Sequence, residues 1–419
     1  MSIKKQPSTV IPMRFRQSSL KKFVLPFLTI LLLSGASGVN PADTNDFKVF
    51  MLTMNLQHEY PEHIASKKNR KSADWFFDRA RHLKVDIFSA KVRKLLLEKA
   101  HDAIRPLYPK GVTIALDITK QSVYTKSKSK YILGGKAERG TTRAYHFLGA
   151  CILERQAKYP LGFCLLQRGD MKRLGSLVRH FLGEIADQLT IRHVVLDRGF
   201  SWASVIHELQ DLHISYIVGY TRTRTVKKLI SLLEEPLLAS RDSFFVPALQ
   251  TKIDRVSGTC WVVKEYSYGE VSVTTQLILC KVPVRRPKRK NGKRLRWEFC
   301  PFIADPSIDP SIVLGLYGTR WRIETAFRLM KSLCGKTRSL HPGVRVWILG
   351  VACLLYASWV LRHVPVSTID VLPEFLETER LQKQYSRWER GRTPVLKMQN
   401  SYLSILLAES SVLSIKEVN

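Results

Sequence analysis

The sequence predicts an α/β fold for the middle of the chain, with mainly helical regions before and after it. From Gly111 onward, short runs rich in β-branched residues alternate with longer segments whose apolar residues recur at helical spacing. The predicted order is three strands, a helix, a strand, a helix and a strand, at residues 112–117, 145–153, 161–167, 171–189, 191–196, 201–212 and 214–219. Strands that alternate with helices in this way form a sheet with parallel neighbours and helices packed on it.

A second stretch of strand-like sequence follows, and helical patterns occupy both ends of the chain. Further strands are predicted at residues 243–249, 258–266, 271–284 and 295–304, and helices at 73–81, 89–104 and 344–361, the last as a core helix. The predicted organisation is a basic helical region, an α/β domain, a β-rich insertion, the return of the α/β domain and a helical C-terminal region, at residues 1–110, 111–220, 221–312, 313–365 and 366–419.

The charge balance predicts a polyanionic partner. The chain of 419 residues has 67 lysines and arginines against 35 aspartates and glutamates, a formal net charge of +32. Each phosphate that such a protein neutralises releases counterions, so a basic excess favours binding to nucleic acid. A membrane surface is the second possibility, because it is also anionic.

Two features of the sequence disagree about the cellular compartment. Seven scattered cysteines form no C-x-x-C pair and lie mostly in apolar runs, as expected for reduced thiols in the cytoplasm. Lys21 and Lys22 precede an apolar run at residues 23–33 and then small residues, which is typical of a secretory signal peptide. The alternative for that run is a buried helix, and the rest of the chain favours a cytoplasmic protein bound to DNA.

Three carboxylates are candidates for a shared metal site. Asp117 and Asp197 each follow an apolar β run, and groups at the ends of parallel strands meet at one edge of a sheet. Either residue could instead cap a helix or form a turn. Glu324 would be the third carboxylate. Such hard oxygen ligands suit magnesium or manganese, and two ions about 4 Å apart can activate a water and stabilise a leaving oxygen.

Glu324 lies in a charged segment that the spacing predicts to be one helix. At about 100° per residue, one stripe of that helix carries an aromatic residue, one carboxylate and three cations, namely Tyr317, Arg320, Glu324, Arg328 and Lys331. Ile323, Phe327 and Met330 lie to one side of the stripe, where they can face a core. The alternative is a solvated face with salt bridges between neighbouring turns.

The insertion offers further candidates for contact with DNA. A loop at residues 285–294, which includes Arg289 and Lys290, carries seven cations in ten positions and suits phosphate contact. Trp261 and Trp297 could stack on an unpaired base, although packing in a core is the alternative for both.

The order Asp117, then Asp197-Arg198-Gly199-Phe200, then Tyr317-x2-Arg320-x3-Glu324-x6-Lys331 resembles the DDE transposases of bacterial and archaeal insertion sequences that carry a YREK signature. The resemblance covers roughly residues 110–360. It implies a ribonuclease H-like catalytic domain with a β-rich insertion. It also implies that Asp117, Asp197 and Glu324 are catalytic residues that bind two magnesium ions, with manganese possible.

The resemblance implies the partners as well. Tyr317, Arg320 and Lys331 would hold the transposon end, and we expect the neighbouring cations Arg198 and Arg328 to contact DNA with them. The protein would bind terminal inverted repeats and target DNA, with residues 1–110 contributing, and act as a homodimer in the synaptic complex, with no membrane partner. Gly318 stands where relatives often have a basic or polar residue, while the four signature residues are retained.

Other functions remain open at this point. A ribonuclease H-fold nuclease or resolvase could use the same three carboxylates without strand transfer. A non-enzymatic alternative is an inactive DNA-binding relic or, if residues 23–33 are a true signal, a surface-attached polyanion binder. The sequence shows no H-E-x-x-H, Ser-His-Asp spacing or phosphate-binding glycine motif, so ATP is not implied.

Overall fold

The computed structural model describes residues 44–66, 72–138, 140–154, 158–269, 273–286 and 294–363. Among them, the residues up to Val92 and those from Leu329 onward form one compact unit, and Arg93–Arg328 forms a second. The predicted helical region at 366–419 and the apolar run at 23–33 lie outside the described residues. The finer domain boundaries at 110, 220, 312 and 365 stay predictions.

The described residues form eleven helices and eleven strands, apart from short 3₁₀ turns. The helices are α1 Thr44–Gln57, α2 Pro61–Ser66, α3 Ala73–Arg81, α4 Val85–Ala103, α5 Leu174–Ala186, α6 Ala203–Asp211, α7 Arg224–Leu233, α8 Pro236–Ala239, α9 Pro310–Gly318, α10 Trp321–Ser332 and α11 Pro342–His363. The strands are β1 Val112–Ser122, β2 Leu133–Glu138, β3 Thr141–Ile152, β4 Pro160–Leu165, β5 Ile191–Leu196, β6 Tyr216–Gly219, β7 Ser243–Val246, β8 Thr251–Ser257, β9 Cys260–Tyr268, β10 Val273–Arg286 and β11 Arg294–Ala304.

The first unit is helical and has an aromatic core. The ring of Phe76 in α3 lies 5.4 Å from that of Phe47 and 5.0 Å from that of Phe50, and Trp347 of α11 lies 5.3 Å from Phe47. Among the described helices, α11 alone is long and apolar enough to cross a membrane, and 83% of its apolar window is buried inside the protein. This burial agrees with the prediction of a core helix.

The second unit is built on one mixed sheet of eleven strands. Strands β1, β3 and β4 form an antiparallel meander, and β5 and β6 lie parallel to β1 on its other side. The chain crosses from β4 to β5 through α5 and from β5 to β6 through α6, as parallel neighbours require. This arrangement confirms the predicted α/β class and is consistent with a ribonuclease H-like domain.

The strands of the β-rich insertion extend the same sheet. Strand β11 pairs antiparallel with β6, and β10, β9, β8 and β7 follow in that order. A buried cluster that includes Ile217, Val262, Ile278, Phe302 and Val313 connects β6 with the insertion strands and α9. The insertion therefore shares a core with β6 of the α/β part of the sheet.

Two of the differences from the predicted elements concern the candidate site. Strand β1 does not end at Asp117, because residues 118–122 continue to pair with β3 as far as Ser122. The signature segment is two helices, since α9 ends at Gly318 and α10 begins at Trp321. At the break, the Thr319 hydroxyl donates to Leu316 O at 2.6 Å, and a glycine and a threonine are both weaker helix formers than alanine.

Candidate active site

Asp117 and Asp197 are neighbours because they lie at the same level of two parallel strands. Leu116 of β1 is the register partner of Leu196 of β5, and the next residue along the chain after each is an aspartate. After Asp197 the chain leaves the sheet in a short 3₁₀ turn at Arg198–Phe200. The prediction that these two carboxylates meet at one place in the sheet agrees with this register.

Two glycines in the sheet allow the signature helices to approach it closely. A Cβ atom at Gly149, the register partner of Asp117, would lie only 2.9 Å from the Phe327 ring. A Cβ atom at Gly219, the last residue of β6, would lie 2.5 Å from the Tyr317 hydroxyl. Phe327 thereby seats α10 against β3, and Tyr317 seats the end of α9 against β6. Glu324, one turn before Phe327, is held over the level of Asp117.

Arg320 connects the three carboxylates electrostatically. Its Nη2 donates to Glu324 Oε1 at 2.7 Å, and its Nη1 lies 3.9 Å from Asp117 Oδ2. The guanidinium is also attracted to Asp197, and its side chain is only 8% exposed. The arginine at the break between the two helices thus faces the carboxylates instead of solvent.

The protonation of the site follows from its burial. Burial, opposed in part by a backbone hydrogen bond from Ile118 and by Arg320, and reinforced by Asp197 and Glu324, raises the pKa of Asp117 to about 6. Burial likewise raises the pKa of Tyr317 to about 12, so its phenol keeps its proton and donates to Asp197 Oδ1 at 3.3 Å. Asp117 therefore resists a further negative charge in this site.

The donor set suits a hard divalent cation, but its present arrangement does not form a cage. Carboxylate oxygens of Asp117, Asp197 and Glu324 are ligands that magnesium and manganese prefer. No group of three or more histidine, cysteine, aspartate or glutamate side chains in the described part of the chain is close enough to hold one ion. Arg320 lies between Asp117 and Glu324, so ion binding by both would require this side chain to move.

The other predicted DNA-binding residues are distributed differently. Arg198 and Arg328 are exposed, whereas Lys331 is half-buried on α10. Arg289 and Lys290 lie outside the described residues. Ile323, Phe327 and Met330 are buried, as predicted for the apolar side of the helix.

Of three tryptophans considered for stacking on a base, one is buried and two are exposed. Trp261 is 2% exposed and packs in the sheet, so only the packing alternative suits it, while Trp297 is 48% exposed. Trp321, which was not predicted to have a role, is 64% exposed, and the Arg320 guanidinium lies 5.5 Å from its ring. Its position three residues before Glu324 on a helix is the signal in the sequence that could have identified it.

Comparison with known protein families indicates a transposase. The family model described as a transposase DDE domain matches residues 169–356, a range that includes Asp197, Tyr317, Arg320 and Glu324. Asp117 lies before the matched range. A search of curated proteins finds no match to the chain.

Proposed function

Because this chain carries a transposase DDE domain, we propose that it binds insertion-sequence ends, cleaves DNA there and joins the 3′ hydroxyl to target DNA. The observation that carries the proposal is the convergence of Asp117, Asp197 and Glu324 around the single guanidinium of Arg320. Partly buried carboxylates of like charge that lie close together are unfavourable without a cation, so their presence together favours a catalytic role.

The three carboxylates would hold two magnesium ions, or manganese, which when bound activate a water or a 3′ hydroxyl and stabilise the leaving oxygen. The fold of the protein positions these carboxylate ligands relative to one another. The register of β1 and β5 aligns Asp117 with Asp197, and the contact of Phe327 with Gly149 fixes α10, which carries Glu324. Such placement lowers the entropic cost of an in-line attack.

The cations around the site would hold the DNA. Arg198, Arg328 and Lys331 would bind phosphates beside the cleaved bond, and Arg320 would join them once it leaves Glu324. Tyr317 orients Asp197 through its hydroxyl and would contact the transposon end. Arg289 and Lys290 are proposed as further phosphate ligands.

The biological setting belongs to the same proposal. The partners are terminal inverted repeats and target DNA, bound by a homodimer in the synaptic complex, with residues 1–110 assisting end recognition. The compartment is the cytoplasm, with the protein bound to DNA. Mass spectrometry of the native protein tests this point, because a mature chain that begins near residue 38 would contradict it.

The experiment uses duplexes made from inverted repeats found in the DNA that flanks the gene. Wild-type protein with Mg²⁺ should cleave such an end and join a pre-cut end to plasmid DNA. Glu324→Gln, Asp117→Asn and Asp197→Asn should each lower both rates by at least about a hundredfold and retain end binding in a gel-shift assay.

Glu208→Gln is the matched control. Glu208 also accepts a hydrogen bond from an arginine, Arg179, at 2.7 Å, but it lies on α6 outside the carboxylate cluster, so both rates should stay normal. Cleavage without joining of the pre-cut end would indicate a nuclease or resolvase instead. Full activity of the Glu324→Gln variant would refute the proposed site.

A further inference from the structure

A lysine-rich loop extends from the strand that carries Asp117. This loop, residues 123–131 between β1 and β2, is called the lysine loop below. Lys126, Lys128 and Lys130 recur at every second position and are exposed. The sequence contains no acidic residue between Asp117 and Glu138. None of the three lysines forms a salt bridge with another described residue.

The lysine loop is held by hydrogen bonds to the sheet and to a neighbouring segment. Arg143 Nη1 of β3 donates to Ser127 O at 2.7 Å, and the Thr141 hydroxyl donates to Val123 O at 2.8 Å. On the other side, the Arg168 backbone N–H donates to Lys130 O at 2.8 Å. A loop that is already ordered presents its charges with a smaller loss of entropy on binding.

The segment after β4 extends the positive surface. Arg168, whose backbone N–H donates to Lys130 O, is exposed, and so is Lys172 four residues later. The nearby carboxylate, Asp170, is buried, accepts from the Gln167 backbone N–H at 2.7 Å and pairs with Arg173 at 3.0 Å. Its charge is therefore already compensated, and the surface stays strongly positive.

A small pocket lies at the base of the lysine loop. Lys120, Ser122, Thr141 and Arg143 line it together with His146. His146 is 8% exposed, and its Nε2 has no hydrogen-bond partner among the described residues. A buried polar atom that faces a basic pocket is a position for a water or a ligand oxygen.

The distance along β1 relates this surface to the candidate active site. Ser122 follows Asp117 by five residues of one continuous strand, which is roughly 17 Å at 3.3 Å per residue. The same length corresponds to about five nucleotides at 3.4 Å each. Tyr317 contacts Asp197, which directly follows β5. Strand β5 is the neighbour of β1 opposite to β3, and β3 carries Arg143. The lysine loop and Tyr317 thus lie on different sides of Asp117.

We propose that the lysine loop and Arg168 bind backbone phosphates of the duplex outside the transposon end, starting about five nucleotides from the reacting phosphate. Before cleavage this duplex is the flanking DNA, and at strand transfer it is the target. The inference rests on the proposed function, in which the signature residues hold the transposon end. Lysine contacts to phosphate carry no base information, as suits DNA of varied sequence.

The test compares Lys126→Gln/Lys128→Gln/Lys130→Gln with the wild type in two assays. Binding to a plain 30-base-pair duplex, measured by fluorescence anisotropy, does not depend on catalysis. The triple variant should bind it on the order of tenfold more weakly at low salt, and the slope of log K against log salt should fall by about 2 to 3. Joining of a pre-cut end to plasmid should fall in proportion, while binding of the isolated transposon end stays unchanged.

The control variant Lys94→Gln/Lys227→Gln/Lys228→Gln removes the same charge from exposed positions on α4 and α7 of the same unit. It should behave like the wild type. Equal losses in both triple variants would overturn the inference and indicate a net-charge effect. Unchanged duplex binding by the lysine-loop variant would also overturn the inference. An equal loss of transposon-end binding would overturn the assignment to outside DNA. A wild type that binds the duplex but never cleaves or joins would refute the proposed function without affecting this comparison.

Discussion

Arg320 Nη2 donates to Glu324 Oε1 at 2.7 Å, and the same guanidinium reaches within 3.9 Å of Asp117 Oδ2. This arginine therefore occupies the region between two of the three carboxylates. Its Nε is buried without a hydrogen-bond partner among the described residues, so the carboxylates bind the guanidinium only through its two terminal nitrogens. In the protein without DNA, Arg320 supplies the positive charge that these carboxylates require.

Removing this guanidinium should make the carboxylates more available to a divalent cation. We expect Arg320→Gln to bind Mn²⁺ about tenfold more tightly than the wild type in the absence of DNA, because an internal competitor of the ion is lost. Tenfold corresponds to about 1.4 kcal/mol, a reasonable value for a partly compensated ion pair. The measurement is a Mn²⁺ titration followed by electron paramagnetic resonance.

Arg179→Gln is the matched control, since Arg179 also bridges two carboxylates, Glu208 at 2.7 Å and Asp211 at 3.2 Å. It should not change Mn²⁺ affinity. Equal or weaker Mn²⁺ binding by Arg320→Gln would show that the guanidinium does not compete with the ion.

Local patterns were sufficient to predict most of the strands, although β2 and β8 were not predicted. The buried run at β5 was predicted with its observed bounds, and the next residue, Asp197, has the expected position. Asp117 was predicted to close β1, but β1 continues past it. Residues 118–122 alternate too weakly between apolar and polar types to indicate a strand, and pairing with β3 holds them in the sheet.

The direction in which the Arg320 side chain points could not be predicted from the sequence, because it depends on contacts between distant parts of the chain. A single helix would have placed Arg320 in a row with Glu324 and Lys331 on one solvent-facing stripe. The break after Gly318 separates Tyr317 from that row, and the fit of Tyr317 against Gly219 determines where the break lies in space. Such close approach of side chain to backbone leaves no periodic signal in the sequence.

The contact between Phe327 and Gly149 predicts that a small increase in volume will disturb the site. Gly149→Ala would place a methyl group about 2.9 Å from the Phe327 ring, so α10 would have to move away from β3. We expect a loss of about 1–3 kcal/mol in the free energy of unfolding. Because α10 carries Glu324, the cleavage rate should fall more than the stability loss explains, as measured by single-turnover kinetics at full folding.

Phe327→Leu in the Gly149→Ala background provides the control. The smaller side chain would relieve the contact, so the double variant should regain part of both stability and activity. Strictly additive losses in the double variant would mean that the two residues do not act through this contact.

His146 predicts a specific dependence of stability on pH. Burial and the nearby Lys120 lower the pKa of His146 from 6.5 to about 4 in the folded protein. Between these two values the unfolded chain binds a proton that the folded protein excludes, so stability falls as the pH falls from about 6.5 towards 4. The loss is on the order of 3 kcal/mol at most. Urea unfolding between pH 4.5 and 7.5 should show a smaller loss in His146→Gln.

Lys120→Met separates the two causes of this behaviour. Removing the nearby ammonium should reduce the pH dependence in part, because burial remains as the larger cause. A His146→Gln variant with the same pH dependence as the wild type would indicate that other groups determine the acid response.

Trp321 is in a position to stack on an unpaired base at the cleaved end. It begins α10, is 64% exposed and stands one residue after Arg320 and three before Glu324, so its ring lies on the helix face next to the proposed ligand. Stacking of a base on an aromatic ring contributes about 1–3 kcal/mol. Trp321→Ala should therefore weaken binding of a pre-cut end with an unpaired terminal base by at least about fivefold, as measured by anisotropy. It should affect binding of a fully paired end much less.

Trp202, 51% exposed at the start of α6, serves as the comparison, and Trp202→Ala should bind both ends normally. Equal effects of the two substitutions, or equal losses for paired and unpaired ends, would rule out a specific stacking role for Trp321.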